Sequence, residues 1–191
     1  MFVEKSGLGP FDTVKIEAKS DGSVEVITGV ASIGQGVETA MAQICADVLG
    51  IDYRAIRVVH GQTDRIERGM GAFASRVTVM CGEATRMAAV KLRENVLLLA
   101  AELMQTSAKF LTISEGRILR SDSSSGPSIS LAELAQSQPL VAEATFEFSH
   151  MVYPYGVHVA VVRVDEDTGG VTVERYAVDY DVGRRSEENK S

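Results

Sequence analysis

Little in this chain could build a metal centre or a disulfide framework. Only two cysteines occur among the 191 residues, Cys45 and Cys81, and each sits in an apolar context of helical spacing. They read as buried free thiols behaving as small hydrophobes. The three histidines (His60, His150 and His158) are scattered, so no zinc-like spacing appears. Aromatic and basic residues are not interleaved, and the formal charge is −7, which works against nucleic acid as a partner. Met1 is followed by no basic-then-apolar stretch, and no run of about 18 apolar residues occurs. The expectation is a soluble, cytoplasmic protein. No internal repeat is visible.

What remains is the composition of a folded domain, 45% hydrophobic and 24% charged, long enough for a sizeable core. Thr13–Lys19 alternates Val14, Ile16 and Ala18 against Lys15, Glu17 and Lys19, a half-buried strand. Asp21-Gly22 is a hairpin turn signal, and Ser23–Thr28 alternates again. From Val37 to Leu49 the apolar residues fall at steps of three and four, and Gly50 supplies a helix stop. Ile56–Val59 is a short strand, followed by turn-rich residues 60–64 and a loop over 64–74. A long helix is expected over Arg76–Ser107, its Gly82, Ala84, Ala88 and Ala89 implying close packing on another element.

Residues 110–113 and 116–119 read as a second hairpin, and 122–128 as a polar loop. Leu131–Gln136 is a short helix opened by the capping box of Ser130 and Glu133. Val141–Ser149 reads as a strand. Gly156–Asp165, with His158 inside it, reads as a mostly buried strand paired with Val171–Asp179 across the turn at 167–170. His158 is accordingly expected to be a core or interface histidine, and His60 a structural one. The expected fold is α+β, with a mixed or largely antiparallel sheet and two main helices. Residues 1–183 are expected to form one domain and 184–191 a disordered tail.

Two loops carry the functional signal. Gly34-Gln35-Gly36-Val37-Glu38-Thr39 and Gly69-Met70-Gly71-Ala72-Phe73-Ala74-Ser75-Arg76 each contain glycines and open into a helix. Such a loop presents unpaired N–H groups at the positive end of a helix dipole, a place for a phosphate-bearing ligand. Five of these residues also have a plainer reading. Gln35 could close a tight turn, Ser75 could cap the long helix, and Gly71 could be an ordinary loop glycine. Arg76 could pair with Glu83 rather than a phosphate, and Glu38 could simply complement the helix dipole.

These loops sit among further blocks in a fixed order. Asp21-Gly22-Ser23-Val24-Glu25-Val26 comes before them. Ala46-Asp47-Val48-Leu49-Gly50-Ile51 and Val58-Val59-His60-Gly61-Gln62-Thr63-Asp64 lie between them. Pro154-Tyr155-Gly156-Val157-His158 and Asp179-Tyr180-Asp181-Val182-Gly183-Arg184 come after. Together they resemble the molybdenum-binding large subunit of the xanthine dehydrogenase, aldehyde oxidase and carbon monoxide dehydrogenase family, apart from residues 108–140 and the tail. The resemblance implies a molybdopterin-binding domain of an oxidoreductase that hydroxylates or oxidises a small substrate. The cofactor implied is molybdenum on molybdopterin, in mononucleotide or cytosine dinucleotide form. The cofactor-binding residues implied are Gln35, Gly36, Gly71, Ala72, Ser75 and Arg76, with Gln35 near the oxo ligand of the metal.

The implied partners are the remaining parts of the molybdenum subunit and the iron–sulfur and flavin subunits or domains. A homo-oligomer is also expected, from exposed apolar surface. Members of the family continue past the Asp-Val-Gly-Arg block to a Gly-Glu-Gly-type segment with a glutamate general base. No candidate for it is present here, Glu187-Glu188 reading as a solvated end. The chain is therefore expected to be a middle piece of the molybdenum-binding region, excised, truncated or one part of a split subunit, without turnover alone. The alternative is a non-catalytic module that keeps the fold for assembly.

Overall fold

The computed structural model describes residues 1–122 and 126–183. The expected tail over 184–191 and part of the polar loop lie outside these residues. The strands are β1 (Phe2–Val3), β2 (Phe11–Ala18), β3 (Val24–Thr28), β4 (Ile56–Val59), β5 (Leu111–Ser114), β6 (Arg117–Arg120), β7 (Ile129–Ser130), β8 (Leu140–Glu147), β9 (Tyr155–Val164) and β10 (Val171–Asp181). The helices are α1 (Val37–Leu49), α2 (Gly82–Leu103) and α3 (Leu131–Ser137). The fold is α+β, as the periodicities predict.

The central sheet runs β4-β3-β2-β8 and is mixed. β2 pairs antiparallel with β3 and β8, while β3 and β4 are parallel because α1 crosses between them. Val14, Ile16, Val24 and Val26 point from this sheet into a core built with Met41, Cys45, Ala84, Ala88 and Leu92 of the helices. Small residues let α1 and α2 approach: a Cβ on Gly82 would lie 3.2 Å from the Ile44 Cδ1. Burial pushes the thiols of Cys45 and Cys81 up to about 12, which keeps them neutral and inert. Ser130 and Glu133 form the expected capping box on α3.

The opposite face of β2 and β3 is charged. Glu17 accepts from Lys15 and Lys19, at 2.5 and 2.6 Å, and Glu25 takes Arg65 at 2.8 Å. The hydrogen bonds from Lys15 and Lys19 hold the Glu17 carboxyl down at about 2. A depressed carboxyl favours the native state above its unfolded value and loses that contribution as pH falls toward the folded one. The urea midpoint is therefore expected to drop between about pH 5 and pH 2 by more in the wild type than in Glu17→Gln. Equal drops would exclude Glu17 as the source.

Two expectations are corrected. The long helix does not start at Arg76 as α-helix: Val77–Cys81 form a π turn, the α-helix begins at Gly82, and it ends at Leu103 rather than Ser107. The segment expected as a mostly buried strand, β9, is exposed along nearly its whole length. It forms a long two-stranded ribbon with β10, and among the described residues only the short β1 joins it, at one end. His158 is consequently a surface residue in this chain, not a core one.

Candidate functional site

The two glycine loops meet. The first leaves the end of β3 at Gly29 and enters α1 at Gly36; the second runs from Gly69 to Arg76 and enters the π turn. They touch at backbone level, where a Cβ built on Gly29 would lie 2.4 Å from the Gly69 Cα and one on Gly69 would lie 2.3 Å from the Gly29 Cα. No side chain fits at either position. Neither glycine adopts a positive φ, so packing and not conformation requires them. Gly34, Gly36 and Gly71 are the converse case, with φ of 92, 77 and 84° and open space where a Cβ would stand.

Beyond this crossing lies a pocket of about 820 Å³. Gln35 and Ile33 line it from the first loop, Ala72 to Arg76 from the second and Val77 to Val79 from the π turn, and Ser6, residues 152–155 and 181–183 close it. The structure thus brings Gln35, Ala72, Ser75 and Arg76 to one cavity, while Gly36 and Gly71 belong to the same two loops without lining it. Gln35 does close a turn, since its Oε1 accepts from the Ile33 N–H at 2.7 Å. The Nε2 end of the amide is the donor that remains. Glu38, in the first turn of α1, accepts from Ser32 at 3.2 Å and pairs with His60 at 2.9 Å. Its carboxyl is lowered by its own backbone N–H first and by His60 second. His60 thereby ties the first loop to the end of β4.

Arg76 differs from the expectation. Its side chain is fully buried and pairs with Asp12, also fully buried, at 2.6 Å. Its other donors reach the carbonyls of Leu8, Gly71 and Phe11. Every edge of the guanidinium is used inside the protein, so Arg76 meets the pocket without offering its charge to a phosphate there. Glu83, the alternative partner, is taken by Arg86 at 2.7 Å. Burial raises the Asp12 carboxyl and the Arg76 guanidinium pulls it back down. Sequence reasoning missed Asp12, although it lies in phase with Val14 and Ile16 on the core face of β2.

Ser75 is not the helix cap. Arg76 occupies that position and no side chain caps the turn. Ala74 and Ser75 hold φ of 45 and 50°, a conformation that non-glycine residues adopt only under constraint. The constraint is visible: Arg76 grips the Gly71 carbonyl, and the Gly7 N–H donates to the Ser75 carbonyl at 3.2 Å. The Ser75 hydroxyl donates to Glu4 at 3.0 Å. With no side chain capping the π turn, the amides of residues 77–79 form an anion-favouring end at the pocket wall. The remaining walls are largely apolar, with Phe73, Val79, Val152 and Tyr153, but also carry the Asp181 carboxylate, which accepts from the Tyr155 hydroxyl at 2.7 Å.

A family model described as a molybdopterin cofactor-binding domain matches residues 1–189. The chain is 35% identical to the 6-hydroxypseudooxynicotine dehydrogenase complex subunit gamma of Paenarthrobacter nicotinovorans, over 96% of its own length and 24% of that protein. It is 32% identical to the carbon monoxide dehydrogenase large chain of Hydrogenophaga pseudoflava, over 94% of its length and 23% of that chain. The structure of the reconstituted CO dehydrogenase from Oligotropha carboxidovorans superposes with a TM-score of 0.79 at 30% identity, covering 93% of this chain and 24% of that one. The chain therefore spans about a quarter of the length of the relatives it matches.

Proposed function

Because the chain belongs to the molybdopterin cofactor-binding domain family, we propose that its 820 Å³ pocket is one wall of the molybdopterin site in a larger molybdenum-dependent oxidoreductase. The observation carrying this reading is the backbone contact of Gly29 with Gly69, which places both glycine loops around one cavity. The residues present suit the cofactor. Open space above Gly34, Gly36 and Gly71 leaves room for a flat polar group close to the backbone. The Gln35 Nε2 is a neutral donor for an oxo ligand. The amides of residues 77–79 suit the phosphate, with Ser75 joining them if its hydroxyl turns from Glu4. No free cation lines the pocket among the described residues, so anion binding here rests on backbone dipoles.

The bound molybdenum would supply oxo transfer and take up the electron pair. The chain itself would bind and orient the group and exclude water with Phe73, Val152 and Tyr153. The pterin is proposed in its cytosine dinucleotide or mononucleotide form. Iron–sulfur and flavin centres on further subunits or domains are proposed as the electron acceptors, and the working protein as cytoplasmic.

Co-expression with the coding regions that flank it in its genome, followed by molybdenum and pterin analysis, tests this. Occupancy is expected to fall about 2- to 10-fold in Gln35→Ala, as for the loss of one hydrogen bond, and by less in Ser75→Ala. A folded complex without molybdenum, under conditions that load a control enzyme, would leave the assembly-module reading instead.

A further inference from the structure

The β9–β10 ribbon has two chemically different faces. Residues paired across an antiparallel ladder share a face. The pairs Tyr155↔Asp181, Val157↔Asp179, Val161↔Arg175 and Arg163↔Thr172 make one face mixed and charged. Its end at Tyr155 and Asp181 lines the pocket.

The other face is built from Ala160↔Tyr176, Val162↔Val173 and Val164↔Val171, with His158↔Val178 and Gly156↔Tyr180 continuing it. Phe2 joins this face through its pairing with Gly156. It carries no charged side chain over the length of the ribbon. Val162 is 47% exposed, Val173 57% and Val171 64%. Its polar atoms are already satisfied among themselves: Tyr176 OH lies 2.6 Å from His158 Nδ1, and Tyr180 OH lies 2.8 Å from His158 Nε2. Phe2 packs edge-on against Tyr180. A face whose polar groups bond internally can be covered without leaving one of them unpaired.

An isolated two-stranded ribbon is marginal in water, and a contiguous apolar patch of this kind marks a contact surface. We infer that the uncharged face of the ribbon is the seat of the portion of the large subunit that this chain does not span. That occupant is indicated by length: the relatives carry about three quarters of their polypeptide outside the matched region. It is also indicated by position, since the ribbon's opposite face forms part of the pocket. Seating the rest of the subunit on this side would fix the pocket wall from behind. The inference rests on the reading of the chain as part of a larger molybdenum subunit.

Tyr176 and Tyr180 report on this face directly, being 59% and 50% exposed in the chain. The test measures their nitration, site by site, in the chain alone at several concentrations. It then measures them in a hybrid in which this chain replaces the matching segment of the Paenarthrobacter nicotinovorans gamma subunit. Both tyrosines are expected to react in the isolated chain at every concentration. In the hybrid they should slow by about tenfold or more, the change for a group open no more than a tenth of the time.

Unchanged reactivity in the hybrid, or an insoluble hybrid, overturns the inference. So does protection that grows with concentration of the isolated chain, which would make a second copy the occupant. Molybdenum in the hybrid separates the two readings. Protection without molybdenum leaves the docking surface and removes the cofactor site, and molybdenum with reactive tyrosines does the reverse.

Discussion

Arg76→Met is expected to destabilise the chain by about 3–5 kcal/mol, the range for breaking a buried ion pair by removing one partner. The cost comes from what the substitution leaves behind. Asp12 stays fully buried without its counter-charge, and the carbonyls of Leu8, Phe11 and Gly71 lose their donor. Urea unfolding followed by circular dichroism checks it, with the midpoint expected to fall by about 1–2 M for a slope of a few kcal/mol/M. Arg76→Lys should recover only part of the loss. One ammonium cannot serve a carboxylate and three carbonyls laid out around a planar fork. Asp12→Leu combined with Arg76→Met should be more stable than Arg76→Met alone, because no buried charge remains, yet below wild type because the three carbonyls stay unpaired. A wild-type midpoint in Arg76→Met would mean that the guanidinium does not hold the second loop. Because Arg76 grips the Gly71 carbonyl, the same variant should also speed proteolytic cleavage near Phe73.

The second large effect is expected at the loop crossing. In Gly69→Ala the new Cβ would meet the Gly29 Cα at 2.3 Å, and in Gly29→Ala the Gly69 Cα at 2.4 Å. Backbone faces backbone here, so no rotamer relieves the clash and the loops must part by about 1 Å. A displacement of that size costs about 1–3 kcal/mol of stability and can cost on the order of 100-fold in a site that depends on placement. Gly69→Ala is therefore expected to lower the urea midpoint and to deplete molybdenum from the co-expressed complex far more than Gln35→Ala does. Gly170→Ala is the control, since the β9–β10 turn lies away from the crossing and the nearest atom to its Cβ is the Thr168 hydroxyl at 3.2 Å. If Gly69→Ala retained both stability and cofactor, the crossing would not be what assembles the pocket.

The parts of the fold that were legible in the sequence are those made by near neighbours. Val14, Ile16 and Ala18 alternate because a pleated strand turns every second residue to one side. The apolar steps of α1 follow the helical repeat, and Ser130 with Glu133 announces its own cap. Of the site, the glycine loops were legible because Gly34, Gly36 and Gly71 occupy conformations that favour glycine. The family blocks led to the expectation that those loops bind a cofactor.

The roles of Arg76 and Ser75 were not legible, because each depends on a partner far along the chain. Asp12 lies 64 residues from Arg76, and Glu4 lies 71 from Ser75. The one available signal was Asp12 itself, a charge on the core face of a strand, which requires a buried partner without naming it. Gly29 and Gly69 give no local sign, since their φ values suit other residues. The ribbon misled in the opposite way. Its apolar run carries the composition of a buried strand, but composition states that a strand can be covered and not which element covers it.

By itself the sequence determined the elements, the φ-demanding turns and the family, all set by short-range sterics, periodicity and ordered motifs. Only the tertiary structure decided which loops cross, which charge is buried and which faces stay open. Those outcomes depend on atoms brought within a few ångströms from distant positions, where one Cβ or one unpaired carboxylate settles the arrangement.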